Sequence, residues 1–259
     1  MPKEYPSRIV CLSAEAVEIL YRLDCGERIV GITGFAVEPP EARRKPRVSG
    51  FSTVNYDKID ALEPDLVITF SDVQAAAARE LIGRGHVVLA TNQRSLLDIF
   101  DTISLMGGVT GQRKQAQRLV EAMRREIWRD HDGLSTRQQP KVYFEEWDEP
   151  LISGIRWISE LIEAAGGCDI FPELRGRSRA SDRVVAAEEV IHRRPEIIVA
   201  SWCGKKVNLS AICQRSGWEA IPAVRNGRVH EIKSAQILQP GPSLLKGLAQ
   251  LRQIIQAAR

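Results

Sequence analysis

Four segments of the sequence carry the side chains best suited to recognising a ligand. Each follows a short apolar run, and together they hold rings, amides, carboxylates and an arginine; they are Phe70-Ser-Asp-Val-Gln74, Thr91-Asn-Gln-Arg-Ser95, Glu145-Glu-Trp-Asp-Glu-Pro150 and Ser201-Trp-Cys-Gly204. Ligands of open α/β sheets bind beyond the carboxyl ends of the strands. Rings supply apolar contact and amides a polar rim, so the set suits a large, flat, amphipathic ligand. Any one segment alone fits an N-cap or a turn better than a ligand contact, and it is the four together that favour a binding site.

Sequence motifs of catalysis and metal binding are absent. The chain has no Gly-x-Gly-x-x-Gly after a strand, no P-loop lysine, no His-Glu-x-x-His and no Gly-x-Ser-x-Gly. Its histidines, His86, His131, His192 and His230, each stand apart from plausible co-ligands. We therefore predict a protein that is not an enzyme, with no metal site and no cofactor of its own.

Composition is that of an ordinary globular protein. Of the 259 residues, 44% are hydrophobic and 27% charged, and 36 Lys and Arg face 33 Asp and Glu. A net charge of +3 is too small and dispersed for a nucleic-acid surface, so we expect no nucleic-acid partner. The five cysteines form no Cys-x-x-Cys pair, which predicts reduced, mostly buried thiols. The sequence as given has no signal-peptide pattern and predicts a cytoplasmic monomer, or a periplasmic or extracellular one if a leader was removed.

Short β-branched runs alternate with amphipathic stretches, which predicts parallel sheets covered by helices. The predicted strands are Arg8–Leu12, Ile29–Thr33, Asp65–Phe70, His86–Ala90, Lys141–Phe144, Glu196–Ala200 and Arg228–Ile232; helices are predicted at Ala14–Leu23 and Val73–Gly83. The two halves are also alike, because the segment 57–70 can be laid over the segment 188–201 with Pro64 over Pro195. In both, a short helix ends at the proline and a strand follows.

A helix without internal Gly or Pro is predicted from Arg113 to Arg129. Its apolar residues form one stripe: Ala116, Leu119, Val120, Met123, Ile127 and Trp128. We therefore predict an α/β fold of two similar lobes with parallel sheets, bridged by one long backbone helix. The predicted domains are residues 1–110, the bridging helix in 111–137, and residues 138–259, with the four segments facing one another across an interlobe cleft.

These features together resemble a known family, the helical-backbone substrate-binding proteins of ABC importers for cobalamin and iron chelates, and within it the cobalamin-binding group. The similarity runs from about Arg8 to the C-terminus. Besides the four segments, it is carried by Ile9-Val-Cys-Leu-Ser13, Leu62-Glu-Pro-Asp-Leu-Val67, Trp157-Ile-Ser-Glu-Leu161, Ala165-Gly-Gly167, Gly217-Trp-Glu-Ala-Ile-Pro-Ala-Val224, Gly227-Arg-Val229 and Pro240-Gly-Pro242.

The resemblance implies a corrinoid or another metal chelate as ligand and an ABC permease dimer as partner. By position it assigns ligand contacts to Phe51, Phe70, Asn92, Gln93, Arg94, Trp147, Trp157, Trp202 and Gln239. It also implies docking to the permease through one glutamate on each lobe, here Glu80 and Glu219. Ser243 stands where many relatives have an arginine, which weakens the expectation of a cationic contact from that turn.

Two alternatives remain open at the level of the sequence. One is an iron-siderophore or haem binder on the same scaffold; anionic siderophores would require several inward arginines, and the four segments offer mainly Arg94. The other is a glycosyltransferase-like enzyme of two α/β lobes, which would need phosphate-gripping Gly or Arg positions and a catalytic base. The amide-rich, neutral corrin is therefore the preferred ligand.

Overall fold

The computed structural model describes residues 4–50, 53–129 and 139–259. The chain divides into two compact units. The first unit comprises Met1–Met123 with Pro240–Pro242, and the second comprises Arg124–Gln239 with Ser243–Arg259. Each unit has its own sheet and its own buried core.

The sheet of the first unit has five strands, all parallel, in the order β3-β2-β1-β4-β5 within the described residues. The strands are β1 (Ile9–Cys11), β2 (Ile29–Thr33), β3 (Arg47–Ser49), β4 (Leu66–Phe70) and β5 (Val88–Thr91). The central strands β1 and β4 are apolar and almost wholly buried, as expected for parallel strands covered on both faces.

Helices separate most of these strands and also follow the last one. They are α1 (Ala14–Arg22), α2 (Tyr56–Ala61), α3 (Ala75–Gly83), α4 (Leu96–Val109) and α5 (Arg113–Trp128). Ser95 and Asp98 form a capping box at the start of α4, which satisfies amide groups at that helix end. Asn55 caps α2 by accepting from the amide of Lys58. The unit boundary falls within α5, between Met123 and Arg124.

The second unit repeats this plan with one antiparallel addition. Its strands are β6 (Lys141–Asp148), β7 (Leu151–Ser153), β8 (Cys168–Asp169), β9 (Ile197–Ala200) and β10 (Val229–Glu231). The sheet runs β10-β9-β6-β7, and β8 pairs with the first residues of β6. Only the β6–β7 pairing is antiparallel among the described strands.

Its helices are α6 (Arg156–Ala164), α7 (Ala187–Arg193), α8 (Leu209–Cys213), α9 (Pro222–Arg225), α10 (Ser234–Ile237) and α11 (Leu244–Ala257). The core lies around Tyr143, whose ring meets Phe171 and Trp218 edge to face at centroid distances of 5.9 and 6.2 Å. Edge-to-face contact is a favoured arrangement of aromatic pairs.

The fold class predicted from the sequence, two similar α/β lobes, is confirmed. Pro64 and Pro195 each precede the strand that pairs in parallel with the first strand of its sheet, β4 beside β1 and β9 beside β6. The helix predicted from Arg113 ends at Trp128, and its stripe residues Ala116, Met123 and Ile127 are buried. The proposed domain limits and the bridging role of α5 stay predictions, and residues 130–138 of the predicted bridge lie outside the described residues.

Substituting alanine for Gly107 is expected to destabilise the first unit. A Cβ at this position of α4 would overlap the Cβ of Ala116 on α5. We expect the free energy of unfolding to fall by about 1–3 kcal/mol, the usual cost of overpacking, measured by urea unfolding with circular dichroism. Gly83→Ala is the control, because nothing lies within 4 Å of a Cβ there. Equal effects of the two changes would contradict the close contact of α4 and α5.

Candidate ligand-binding site

The order of the strands predicts where each sheet would hold a ligand. In the first unit the connections run outward from β1 to β2 and β3, and then continue on the other side with β4 and β5. In the second unit the connections change sides between β6 and β9. Open α/β sheets bind ligands beyond the carboxyl ends of the strands at such switch points. The relevant side chains are therefore those that follow β1 and β4, and those that follow β6 and β9.

In the first unit a single amide side chain ties these two strand ends together. The amide N–H of Phe70 donates to Gln74 Oε1 at 2.9 Å, and Gln74 Nε2 donates to the carbonyl of Leu12 at 2.9 Å. Gln74 thus supports the backbone at the end of β4. The ring of Phe70, the last residue of β4, is half-buried.

Arg94 covers that ring. Its guanidinium lies 5.6 Å from the centre of the Phe70 ring, and Nη2 donates to Asp72 Oδ1 at 2.7 Å. Asp72 follows Ser71, whose φ of 60° belongs to a sparsely populated region for a residue other than glycine. The cation nominated from the sequence is therefore already ion-paired within its own unit.

The two amides before Arg94 differ in exposure. Asn92 is exposed, whereas Gln93 is buried and accepts a hydrogen bond from Thr102 at 3.4 Å. Gln93 Nε2 has no hydrogen-bond partner among the described residues. A buried amide N–H without a partner is costly, so this group is available to a ligand acceptor that reaches it.

In the second unit a buried carboxylate ties the strand ends together. Glu145 is wholly buried, and Arg215 donates to both of its oxygens, with Nη2 at 2.9 Å from Oε1. Trp202, which follows β9, donates from Nε1 to Glu145 Oε1 at 3.2 Å. Burial raises the pKa of Glu145, while the bonds from Arg215 and Trp202 act in the opposite direction. The cross-link holds Trp202 beside the end of β6.

The next carboxylate, Glu146, is paired in the same way. Both terminal guanidinium nitrogens of the buried Arg183, Nη1 and Nη2, donate to it at 2.7 and 2.9 Å. Glu146 Oε2 also accepts from the amide of Ile155, at 2.9 Å. Arg183 and Arg215 could not be recognised from the sequence, because each lies far along the chain from its partner.

Trp147 and Trp202 share one cation. Lys205 Nζ lies 4.4 Å from the centre of the Trp147 ring and 4.7 Å from that of Trp202, and it donates to Asp148 at 2.6 Å. Trp147 is half-buried, with Nε1 donating to the carbonyl of Glu149 at 3.0 Å. The sequence analysis missed Lys205, although a lysine just after a strand-end tryptophan is a usable signal.

The other nominated residues occupy varied positions. Trp157 is buried on α6, and its Nε1 donates to the carbonyl of Ile237 at 3.1 Å. Gln239 is half-buried. Glu80 is exposed and accepts from Arg84 at 2.9 Å, and Glu219 is exposed beside Trp218. Phe51 lies outside the described residues.

A buried carboxylate also follows β1. Glu15, in the first turn of α1, is 3% exposed, and Glu18 one turn later is 7% exposed. Gly241, which belongs to the first unit, packs against Glu15, and a Cβ there would lie 3.1 Å from the Glu15 Cβ. Burial raises the pKa of Glu15 to about 7, against the opposing hydrogen bond from Ser13. Nothing in the sequence pattern indicated that this helix start would be buried.

Metal sites, membrane-spanning helices and cysteines complete the description of possible functional groups. Among the described residues, no three His, Cys, Asp or Glu side chains are arranged to hold a metal ion, and no helix is long and apolar enough to cross a membrane. All five cysteines are free. The expectation of mostly buried thiols was wrong, because Cys168 and Cys203 are exposed and Cys213 is half-buried.

This architecture matches that of known proteins. The model of the periplasmic binding protein family matches residues 9–236. The chain belongs to this family. The resemblance inferred from the sequence is thereby confirmed, and so is the prediction that the protein is not an enzyme, because this family consists of substrate-binding proteins.

Individual relatives and solved structures match this chain over nearly its full length. An uncharacterized ABC transporter substrate-binding lipoprotein of Bacillus subtilis is 27% identical, covering 98% of this chain and 81% of the relative. A vitamin B12-binding protein of Vibrio parahaemolyticus is 25% identical, covering 97% and 90%. The crystal structure of a periplasmic vitamin B12-binding protein of Vibrio cholerae matches with a TM-score of 0.76 at 23% identity, covering 98% of each chain. A periplasmic haem-binding protein of Pseudomonas aeruginosa matches with a TM-score of 0.83 at 18% identity, covering 98% and 94%.

The raised pKa of Glu15 predicts a loss of stability with rising pH. Between its usual value of 4.5 and its folded value of about 7, the native state keeps a proton that the unfolded chain releases. The free energy of unfolding therefore falls as the pH rises through this window, by about 3 kcal/mol for one such group. Glu15→Gln should remove this component, seen in urea unfolding at about pH 5 and about pH 8.

Glu188→Gln is the matched control, since Glu188 is exposed on α7. The same pH dependence in Glu15→Gln as in the unchanged protein would show that Glu15 ionises normally in the folded state.

Proposed function

We propose that this protein binds a corrinoid of the cobalamin class and serves as the substrate-binding component of an ABC importer. The vitamin B12-binding relatives match almost the whole chain, and the lipoprotein relative is named for its ABC transporter. Cobalamin or a related chelate would be the ligand, with no cofactor of the protein's own.

The observation that carries the choice of ligand is the pairing of charges at the strand ends. Arg94 is paired with Asp72, and Lys205 with Asp148. Glu145 and Glu146 are likewise paired, with Arg215 and Arg183. The cations beside the rings therefore leave little net charge for an anionic ligand, and an ion already paired in its own unit gives little further attraction.

What the strand ends do offer is ring surface and amides. The half-buried rings of Phe70 and Trp147 supply apolar contact, and the amides of Asn92 and Gln93 supply donors and acceptors. A corrin has a broad apolar face and a periphery of amides, which this combination satisfies without ionic contacts. Phe70, Asn92, Arg94 and Trp147 are the proposed direct contacts.

The buried residues nominated from the sequence have a supporting part in this proposal, except that Trp202 also offers the ligand the ring face on which Lys205 rests. Trp202 is tied to Glu145, and Trp157 to the carbonyl of Ile237, so both indole N–H groups are already used. Gln93 retains a free N–H among the described residues. Phe51 and Gln239 complete the proposed set on the resemblance alone.

Haem or an iron chelate is the second candidate, since the haem-binding protein of Pseudomonas aeruginosa has the same fold. The two ligand classes differ in charge, because haem propionates and many siderophores are anionic and would need unpaired cations. Calorimetric titration with cyanocobalamin, dicyanocobinamide, haem and a ferric siderophore distinguishes them. We expect heat with the corrinoids; heat with haem or the siderophore alone would replace the proposal.

Docking and location follow from the importer role. The exposed carboxylates of Glu219 and Glu80 are the proposed contacts with the permease dimer, and Glu219 suits this better because Arg84 holds Glu80.

We further propose that the protein works outside the cytoplasmic membrane as a monomer, in the periplasm or tethered as a lipoprotein. Cell fractionation with an antibody to the protein tests the location.

Replacing Trp147 by alanine is expected to weaken corrinoid binding. Loss of a buried ring contact costs about 1–3 kcal/mol at a binding hot spot, read from the calorimetric Kd. Trp147→Phe keeps a ring on the same strand end and should retain most of the affinity. If alanine and phenylalanine at this position bind as tightly as tryptophan, the ring does not contact the ligand.

A further inference from the structure

The Lys205 side chain lies over the aromatic surface that the proposed ligand would use. Its ammonium group is within 5 Å of the ring centres of both Trp147 and Trp202. Asp148 holds the same ammonium group through an ion pair at 2.6 Å. Attraction between a cation and a ring face is favourable at these distances, so the three contacts stabilise one position of the lysine.

The exposed fractions of Trp202 and Lys205 show which of the two lies nearer to the solvent. The Trp202 residue is 4% exposed, whereas the Lys205 side chain is 42% exposed. The lysine therefore lies on the solvent side of a ring that is otherwise packed in the core of the second unit. A ligand that stacks on this ring has to take the place of the ammonium group.

Little holds the lysine there permanently. It stands in an exposed turn after Gly204, whose φ of 78° permits the tight reversal that follows β9. Partly exposed ion pairs contribute only about 0–1 kcal/mol, and an exposed cation–ring contact contributes a similar amount. The long lysine stem can swing away without a change in the backbone.

The first unit has the same arrangement on an equivalent strand. Arg94 lies 5.6 Å from the centre of the Phe70 ring at the end of β4 and is held by Asp72. β4 and β9 are the corresponding strands of the two sheets, each beside the first strand of its sheet. A paired cation over a strand-end ring is thus present twice, in different residues.

We propose that Lys205 is a displaceable cover on the Trp147–Trp202 ring pair and sets the affinity for flat ligands by competing with them for the rings. This inference rests on the proposed function, because it takes the ring pair as ligand-binding surface. Lys205 would then oppose ligand binding, whereas the ring and amide residues favour it.

The first test asks, without ligand, whether Lys205 covers the tryptophan rings. Acrylamide, a neutral quencher, is titrated against the tryptophan fluorescence of the unchanged protein, Lys205→Ala and Lys206→Ala. Lys205→Ala should increase the quenching constant by exposing the ring pair. Lys206 is the neighbouring exposed lysine, so Lys206→Ala makes the same change in charge and should leave quenching unchanged.

Affinity is tested by calorimetry with cyanocobalamin. Lys205→Ala should lower the Kd by about fivefold, the equivalent of one exposed cation–ring contact. Asp148→Asn, which releases the lysine, should lower it by less. The two variants change the net charge in opposite directions, so a shared increase in affinity cannot come from long-range electrostatics. Lys206→Ala should bind as the unchanged protein does.

The outcomes separate this inference from the proposed function. Unchanged or weaker cyanocobalamin binding by Lys205→Ala overturns the cover, and so does unchanged quenching. If the unchanged protein binds neither corrinoid, the proposed function fails, and the quenching comparison still decides whether Lys205 shields the rings.

Discussion

The strand ends of the second unit depend on the hydrogen bonds that the buried carboxylate of Glu145 accepts. It lies at zero exposure beside the point where the sheet connections change sides, and it is satisfied by the Arg215 guanidinium and the Trp202 indole. Loss of one partner from such a buried pair typically costs about 3–5 kcal/mol, because the other charge is left without compensation. The pair therefore holds Trp202 in one position, and with it the surface on which Lys205 rests.

In the first unit a neutral side chain, that of Gln74, links the strand ends instead. Gln74 links the end of β4 to the end of β1 through one acceptor and one donor. In the second unit a carboxylate of β6 makes the equivalent link to Trp202, two residues after β9. An amide needs no counter-ion, so Gln74 makes this link without a partner arginine. Two sheets of similar topology thus use different chemistry to fix equivalent strand ends.

Charge pairing gives the strand ends their chemical character. The cations that approach the rings, Arg94 and Lys205, are each held by an aspartate two or fewer residues beyond a strand-end ring, at Asp72 and Asp148. The surface left to a ligand is then aromatic and amide-rich, with little net charge. This is the physical basis for proposing a neutral amide-bearing chelate rather than an anionic one as ligand, and for proposing that Lys205 covers the rings.

Much of the fold was predictable from the sequence because its signals are local. Buried parallel strands are short β-branched runs, so β2 was placed at its observed limits and β4 within one residue. The short strand β3 was missed, since three residues around Val48 carry no periodicity. The antiparallel β7 was missed for the same reason.

The nominated side chains were harder to assign. Residue type and position after a strand indicated Phe70, Arg94 and Trp147, but could not show that Trp157 and Trp202 would be buried with their N–H groups engaged. By itself, the sequence determined most of the strands, the long helix, the similarity of the two halves and the family. Only the tertiary structure decided which charges meet, because Glu145 and Arg215, or Glu146 and Arg183, are far apart along the chain and no local pattern encodes their contact.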